Sequence, residues 1–205
     1  MADELSDETP SKDEVLAFLL SKDSELSRQE PEIAANIGEQ LKHMGLSTWS
    51  QSVLRRLRNA IDKIKPNTVI EVGASIGHRS AWLYDLFTTH NQPERYDLVE
   101  QGAKFAVILH RLMTRYDAQD WTNIVVGELS SLIAETNAWS AASATGLEVG
   151  DSPLSPNCDV IIVDSKIEDL ADSIELMLPL LNDGGVLFTC EPSVPSGDID
   201  EDDEE

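Results

Sequence analysis

The 205-residue sequence is 41% hydrophobic and carries a formal net charge of −23, so it can form one domain with a substantial core, while its acidity argues against a nucleic-acid partner. Its two cysteines, Cys158 and Cys190, belong to no metal-binding or disulfide pattern, and no apolar run approaches the ~20 residues of a membrane span. The acidic N-terminus lacks the apolar core of a signal peptide, and we therefore expect a cytoplasmic protein with no membrane segment.

Three helices are predicted in the first third of the chain. Ser11 begins a possible capping box for the first helix. Pro31 opens a second helix, which Gly45 ends, and the third helix stops at Pro66. We interpret residues 1–65 as an N-terminal helical extension.

From residue 66 onward, predicted strands and helices alternate. The strand interiors are continuous apolar runs, which is typical of strands buried on both faces. Five strands with four intervening helices predict an α/β fold, a Rossmann-like doubly wound parallel sheet of about five strands in the order 3-2-1-4-5. This domain is assigned to 66–191, and 192–205 to a disordered acidic tail. The predicted strands are 68–73, 95–100, 123–127, 158–164 and 184–190, and the predicted helices are 78–89, 103–116, 128–139 and 167–181.

Glycines and acids follow these strands at the edge where such sheets bind ligands, outside the carboxyl ends at the switch point. A glycine turn lets a backbone approach a ligand closely, and an acid after the second strand can accept both hydroxyls of a ribose. The turn has the pattern E-x-G-x-x-x-G and lacks the dinucleotide fingerprint, which favours a positively charged ligand without a pyrophosphate. The candidate residues are Glu71, Gly73, Ala74, Ser75, Gly77 and His78 after the first strand, Glu100 after the second, Gly127 and Glu128 after the third, Asp164 and Lys166 after the fourth, and Cys190 and Glu191 after the fifth.

Several of these features also have an ordinary structural interpretation. The glycines can serve an ordinary strand-to-helix turn. His78 and Lys166, both at helix starts, are more often solvated surface groups than catalytic ones. The turn-rich segment 141–157 is predicted to be a flexible loop that flanks the mouth of the site, where it and Trp139 could cover a ligand.

A resemblance to class I S-adenosylmethionine-dependent methyltransferases is carried by the ordered segments VIEVGASIG, DLVE, GEL, DVIIVDSK and LPLLNDGGVL. The spacing is most similar to that of caffeoyl-CoA-type O-methyltransferases, over roughly 51–191. The resemblance implies that Glu71 and the glycine turn hold the methionine part of S-adenosylmethionine, that Glu100 holds the ribose and that Glu128 lies near the adenine. Asp164 matches a position where family members bind a divalent metal and orient the acceptor hydroxyl.

The sequence departs from the family pattern at positions expected to lie beside the methyl acceptor. Lys166 falls on or next to the second acid of the family's D-A-D-K motif, and Cys190 and Glu191 replace its Asp-Asn pair. Asp164 and Glu191 are therefore only weak candidates for metal ligands, and we expect little or no dependence on a divalent metal. The family's last two strands have no counterpart in the sequence, which leaves the apolar fifth strand at an edge and favours a homodimer.

The expected activity is methyl transfer from S-adenosylmethionine to a small-molecule acceptor, with oxygen favoured, and Asp164 and Lys166 are the candidate catalytic residues. The alternative is a non-catalytic methyltransferase-like domain that binds the cofactor or a protein partner. It is favoured by the missing strands and the altered acceptor side. A nicotinamide dehydrogenase is disfavoured by the absent glycine fingerprint.

Overall fold

The computed structural model describes residues 29–146 and 148–189. The first predicted helix, Cys190, Glu191 and the acidic tail lie outside the described residues. A 3-10 helix (Leu178–Leu180) links the last α-helix to the last strand. The helices are α1 (Glu32–Met44), α2 (Gln51–Ile64), α3 (His78–Thr89), α4 (Ala103–Arg115), α5 (Leu129–Ala144) and α6 (Leu170–Met177), and the strands are β1 (Thr68–Val72), β2 (Arg95–Glu100), β3 (Thr122–Val126), β4 (Cys158–Val163) and β5 (Leu181–Thr189).

The five strands form one parallel sheet in the order β3-β2-β1-β4-β5, which confirms the predicted fold and strand order. Val72, the last residue of β1, lies opposite Val99 and Val163 in the neighbouring strands. The carboxyl ends of β1, β2 and β4 are thereby aligned at one edge of the sheet. The fifth strand begins at Leu181, earlier than predicted, and the register between β4 and β5 shifts near its start.

The N-terminal helices end at the residues that the sequence indicates, but the third predicted helix, expected to begin at Ser47, starts only at Gln51. Pro31 occupies the N-cap of α1, and Gly45 ends it in the left-handed conformation with φ 67°. The hydroxyl of Ser50 accepts the N–H of Val53 at the start of α2, so that the third predicted helix begins at Gln51. These two helices pack on α3. Their apolar faces join the hydrophobic core cluster that also contains β1 and β2 residues. No helix in the described parts of the chain is long and apolar enough to cross a membrane.

The segment 141–157 does not lie where the sequence predicted it. Its first residues extend α5, and its last residues, from Ser152 to Asn157, lie at the amino ends of the strands rather than at the mouth of the site. Arg95 at the start of β2 donates to the carbonyl of Ser152 (2.8 Å), and the carboxylate of Asp97 accepts both the backbone N–H (2.8 Å) and the hydroxyl (2.9 Å) of Ser155. In a parallel sheet a helix-to-strand connection must return to the amino edge, so a loop before β4 belongs there.

Candidate functional site

The turn after β1 contains three residues in the left-handed region, Gly73 (φ 77°), Ser75 (φ 53°) and Gly77 (φ 87°). A Cβ on Gly73 would lie 2.0 Å from the carbonyl oxygen of Asp164, and one on Gly77 would lie 2.5 Å from a methyl of Leu112. Both glycines are thus required by close packing, the first against the end of β4 and the second against α4. The ordinary structural interpretation accounts for both glycines without a ligand.

Glu100 holds this turn against the end of β2. Its side chain is largely buried, with 9% of the residue exposed. One carboxylate oxygen accepts the backbone N–H of Ser75 and the other that of Gly102, both at 2.8 Å. Because a carboxylate has about four acceptor positions, these two bonds leave capacity for further donors. The predicted ribose acceptor is therefore fixed in place by the backbone of the turn.

Gly127 and Glu128 extend the same edge to β3. The N–H of Gly127 donates to the carbonyl of Glu100 at 3.2 Å. Glu128 is exposed and accepts a hydrogen bond from the side-chain amide of Gln101. The structure therefore brings Ser75, Glu100 and Glu128 together along one edge, as the sequence predicts.

Glu71 lies beneath the turn rather than on its open side. It is fully buried and accepts hydrogen bonds from the hydroxyls of Tyr96 and Ser80, the latter at 3.1 Å. Burial and the neighbouring Glu71 raise the pKa of Tyr96 well above its ordinary value, so that the phenol remains a donor to the carboxylate. Its predicted contact with the methionine part of a cofactor stays a prediction.

Sequence reasoning did not identify Arg79, which joins the candidate acids. Its guanidinium donates from Nη1 to Asp164 (2.6 Å) and from Nη2 to the carbonyl of Gly73 (3.0 Å). Its Nε lies 3.0 Å from Glu71 in an ion pair whose N–H does not point at the oxygen. The ring of Trp49 covers the guanidinium at 4.7 Å. We call these five residues the Arg79 cluster.

The charge of Arg79 is stabilised inside the protein. The residue is 3% exposed. Burial alone would lower the pKa of its guanidinium, but the carboxylates of Glu71 and Asp164 more than offset burial and raise the pKa above its ordinary value. An arginine in the first turn of a helix usually faces solvent, so no feature of the local sequence identifies it as buried. Its burial depends on Trp49, which precedes α2 and is distant in the chain.

His78 is not the solvated surface group that its position suggested. It is 5% exposed, and both ring nitrogens contact the N-terminal segment. Nδ1 lies 3.0 Å from the hydroxyl of Thr48, and Nε2 lies 2.9 Å from a carboxylate oxygen of Glu30. The expectation of exposure was wrong because α1 and the chain before it pack over the start of α3. His78 therefore joins the N-terminal segment to the glycine turn.

The remaining candidates after β1 and β4 differ in exposure. Ala74 is 3% exposed, and its N–H donates to the carbonyl of Val99 at 3.3 Å. The side chain of Asp164 is 34% exposed at the edge of the site. Lys166 is 79% exposed, with its Nζ 3.9 Å from Glu168. Asp164 therefore lies at the boundary between the buried Arg79 cluster and solvent, whereas Lys166 extends away from it.

The resemblance implies a divalent metal at Asp164, and the described residues around it do not fit one. Mg²⁺ requires several oxygen ligands in octahedral geometry. One oxygen of Asp164 is already 2.6 Å from the guanidinium of Arg79, and Glu71 is held by Tyr96 and Ser80. Within 29–146 and 148–189, no group of three or more His, Cys, Asp or Glu side chains is placed to hold a metal ion.

Two grooves in the described residues lie away from these side chains. One, of about 570 Å³, follows β3 and includes Trp121 and Ser152, and the other, of about 490 Å³, lies between Asp159 and Gly184. Neither contains a candidate residue. Because sheets of this kind bind ligands at the carboxyl ends of their strands, we place the candidate site at the turn after β1 and not in these grooves.

Comparisons with known proteins bear on the fold of the chain. No family model matches the sequence, and no curated protein matches it. The structure is similar to a Staphylococcus aureus protein provisionally described as a caffeoyl-CoA O-methyltransferase (TM-score 0.60, 14% identity). It is also similar to the O-methyltransferase TomG from Streptomyces achromogenes, solved with S-adenosylmethionine (SAM; TM-score 0.61, 16% identity). A third is the Bacillus cereus O-methyltransferase, solved with S-adenosylhomocysteine (SAH; TM-score 0.57, 16% identity).

Each of these alignments covers 78% of this chain and 66% of the solved one. The chain thus spans about two thirds of the length of the structures it matches. At these identities the similarity concerns the fold. The chain has the Rossmann-like fold found in these O-methyltransferases, as the sequence resemblance implied.

Proposed function

We propose that this protein is a methyltransferase that transfers the methyl group of S-adenosylmethionine to an oxygen atom of a small-molecule acceptor. The observation that carries the proposal is the alignment of a glycine turn, Glu100 and Glu128 at the carboxyl ends of β1, β2 and β3. Two of the similar structures hold S-adenosylmethionine or its product in this fold. An acidic edge also suits a ligand that carries a sulfonium and an ammonium group.

Glu100 would bind the ribose hydroxyls and Glu128, with Gln101, would lie beside the adenine. The two backbone N–H groups on Glu100 fix its carboxylate before the ligand arrives, which lowers the entropy cost of binding. Gly127 keeps the β3 end close to β2 through its N–H, which donates to the carbonyl of Glu100. Gly73, Ala74, Ser75 and Gly77 would form the wall against the methionine part, with His78 behind them and Glu71 beneath.

The reaction would be an in-line displacement. The acceptor oxygen forms a bond to the methyl carbon as the sulfur–methyl bond breaks, the sulfonium becomes a neutral thioether, and the hydroxyl proton leaves to a base or to water. The protein would chiefly hold the two reactants at reacting distance. Asp164, partly exposed beside the turn, would orient the acceptor hydroxyl, and Lys166 would lie on the acceptor side at the rim.

The acceptor class follows from the charge of the chain. A net charge of −23 repels a phosphate backbone, so a small molecule is favoured over a nucleic acid. We also propose a cytoplasmic location, which suits a chain with two cysteines and no disulfide pattern.

We further propose a homodimer that pairs through β5. Among the described residues no strand lies on the outer side of β5. Val186, Leu187 and Phe188 are half-buried there, and an uncovered apolar edge of this kind pairs readily with another strand. Light scattering at micromolar concentration tests the dimer, and a monomer whose β5 amides exchange rapidly with deuterium would contradict it.

Calorimetric titration with SAM and SAH tests the proposed function. We expect both to bind, with one site per chain. Binding followed by turnover on hydroxyl-containing acceptors would support the enzyme, and binding without turnover on any acceptor would favour the non-catalytic alternative. A folded protein that binds neither compound would refute the proposal.

A further inference from the structure

We propose that Arg79 is the built-in counter-cation of the candidate site. Its guanidinium pairs with Asp164, the residue at which the resembled family binds a divalent metal, and holds that carboxylate in place. Arg79 is thus a positioning residue that acts through Asp164. The inference rests on the proposed function for the identity of the ligand. The contacts of the Arg79 cluster are independent of that function.

The guanidinium lies at the switch point of the sheet. In the order β3-β2-β1-β4-β5, chain connections leave β1 and β4 in opposite directions, and the crevice between them is where ligands bind in such folds. Arg79 donates to Gly73 directly after β1 and to Asp164 directly after β4, at 3.0 and 2.6 Å. A single side chain therefore connects the two walls of the crevice.

Burial makes this connection rigid and its partners hard to replace. Arg79 is 3% exposed and Glu71 is fully buried. Removing one partner from a buried charge pair leaves an uncompensated charge in a medium of low polarity, which is strongly unfavourable. The guanidinium keeps its proton at all ordinary pH values, so it is a permanent cation. The cluster thus holds one permanent positive charge between two carboxylates.

Trp49 shields the cluster from water. It is 8% exposed, and its ring lies 4.7 Å from the guanidinium carbon. Its indole N–H has no hydrogen-bond partner among the described residues. An aromatic face over an arginine stabilises the cation and lowers the local dielectric, which strengthens the contact with Asp164. The connection between α1 and α2 therefore completes the cluster from outside the sheet.

Among the residues that the structure describes, the same contacts leave a divalent metal without a suitable ligand set. Asp164 already shares an oxygen with a cation at 2.6 Å, and a metal at that carboxylate would bring a second cation against the guanidinium. Glu71 is occupied by three partners, Tyr96, Ser80 and Arg79. The guanidinium supplies the positive charge and the orientation that the metal would supply, and Asp164 presents its exposed side to a ligand.

The experiment compares Arg79→Met with a matched control, Arg95→Met. Arg95 also pairs with a fully buried carboxylate, Asp97 at 2.8 Å, but at the amino end of the sheet. We expect both variants to lower Tm. Only Arg79→Met should weaken SAM binding, by roughly tenfold or more, whereas Arg95→Met should change it less than about twofold. Arg79→Lys should restore part of the loss, because it keeps the charge but not the paired geometry. Equal weakening by both methionine variants would overturn the proposal.

Metal binding is measured directly with Mn²⁺ and electron paramagnetic resonance. The wild-type protein and Asp164→Asn should lower the free Mn²⁺ signal equally up to about 1 mM, with or without SAM, because only nonspecific binding to the acidic surface is expected, and a chelator should not alter SAM affinity. Mn²⁺ binding that Asp164→Asn abolishes would show that Asp164 is a metal ligand and would overturn the proposal.

A third measurement does not depend on SAM. The double variant with Arg79→Met and Asp164→Asn should have a higher Tm than Arg79→Met alone, because it contains one uncompensated carboxylate, Glu71, in place of two. A double variant no more stable than Arg79→Met would overturn the proposal even if both proteins bind SAM. If the wild-type protein binds no SAM, the proposed function fails, and the Mn²⁺ and Tm measurements still decide the role of Arg79.

Discussion

Two arginine–carboxylate pairs lie at opposite ends of the same sheet. At the amino end, Asp97 is fully buried and accepts four hydrogen bonds, from Arg95, Asn123 and both the N–H and the hydroxyl of Ser155. At the carboxyl end, the carboxylate that Arg79 holds is only partly buried, with 34% of the Asp164 side chain exposed. The first pair is closed and the second is open to a ligand.

Under the proposed function, the same chemical pair serves stability at the amino end of the sheet and ligand binding at the carboxyl end. Helix-to-strand connections return to the amino end, so Asp97 anchors the segment that contains Ser155. Ligands bind at the carboxyl end, so a half-exposed acid there remains available. Changes at the amino end should therefore affect stability more than ligand affinity, and changes at the carboxyl end the reverse.

The largest effect is expected for Asp97→Ala. The change leaves Arg95, Asn123 and Ser155 without their common acceptor, and breaking a buried charge pair costs about 3–5 kcal/mol. Urea unfolding should show a loss in this range. SAM affinity, measured where the variant remains folded, should stay within about twofold of wild type.

The matched control is Asp120→Ala, an exposed acid in the groove along β3 that Arg95 also lines. Its free energy of unfolding should change by less than about 0.5 kcal/mol. A similar loss in both variants, or a large loss of SAM affinity in Asp97→Ala, would show that the two ends of the sheet are not separate in function.

Glu100→Ala, at the carboxyl end, is expected to have a smaller effect, and on SAM affinity rather than on stability. SAM binding should weaken by about 1–3 kcal/mol, because hydrogen bonds from the ribose to a charged acceptor are lost. Glu100→Gln, which keeps the shape and one acceptor oxygen, should lose less. Calorimetry at constant salt measures both, and unchanged affinity in Glu100→Ala would contradict the proposed ribose contact.

The pH dependence of stability tests the amino end again. Burial raises the pKa of the Cys158 thiol, at the start of β4, from 9.0 to about 12. Above pH 9 the unfolded chain loses this proton and the folded protein keeps it, so the free energy of unfolding should fall as pH rises from about 9 toward 12. Tyr96, whose pKa is also raised by burial and by Glu71, acts in the same direction.

Cys158→Ala isolates the contribution of the thiol. The variant is less stable than wild type at pH 8 and at pH 10, because the substitution leaves a small cavity. Its free energy of unfolding should nevertheless fall by about 1 kcal/mol less than that of wild type between these two pH values. Urea unfolding at the two pH values measures this difference. An identical loss in both proteins would show that the thiol does not stay protonated in the folded state.

The sequence predicted the elements because their signals are local or periodic. Gly73 and Gly77 occupy backbone conformations that other residues avoid, and continuous apolar runs mark strands buried on both faces. Placing acids at the carboxyl ends then followed from topology, which brought Glu100 and Glu128 to one edge. The position of the segment around Ser155 followed from the same topology but was misjudged, since only strand-to-helix turns reach the site.

The burial of Arg79 and His78 could not be predicted from the local sequence. Both residues begin α3, and their sequence neighbours are compatible with solvent exposure. Their burial depends on Trp49, Thr48 and Glu30, which come from the N-terminal segment and approach only after it packs on α3. A helix that lies against other helices on one side must be placed in three dimensions before its first turn can be called buried.

The smallest effect is expected for Glu128→Gln, and it compares two acids at the carboxyl end itself. Glu128 is exposed and contacts Gln101, whereas Glu100 is buried and fixed by two backbone N–H groups. An exposed charge is screened by water and salt, so SAM affinity should fall only about two- to fivefold, and the loss should shrink further at high salt. Calorimetry of both glutamine variants at low and high salt measures this. A loss of affinity for Glu128→Gln that equals that of Glu100→Gln and does not respond to salt would mean that the bound ligand buries Glu128.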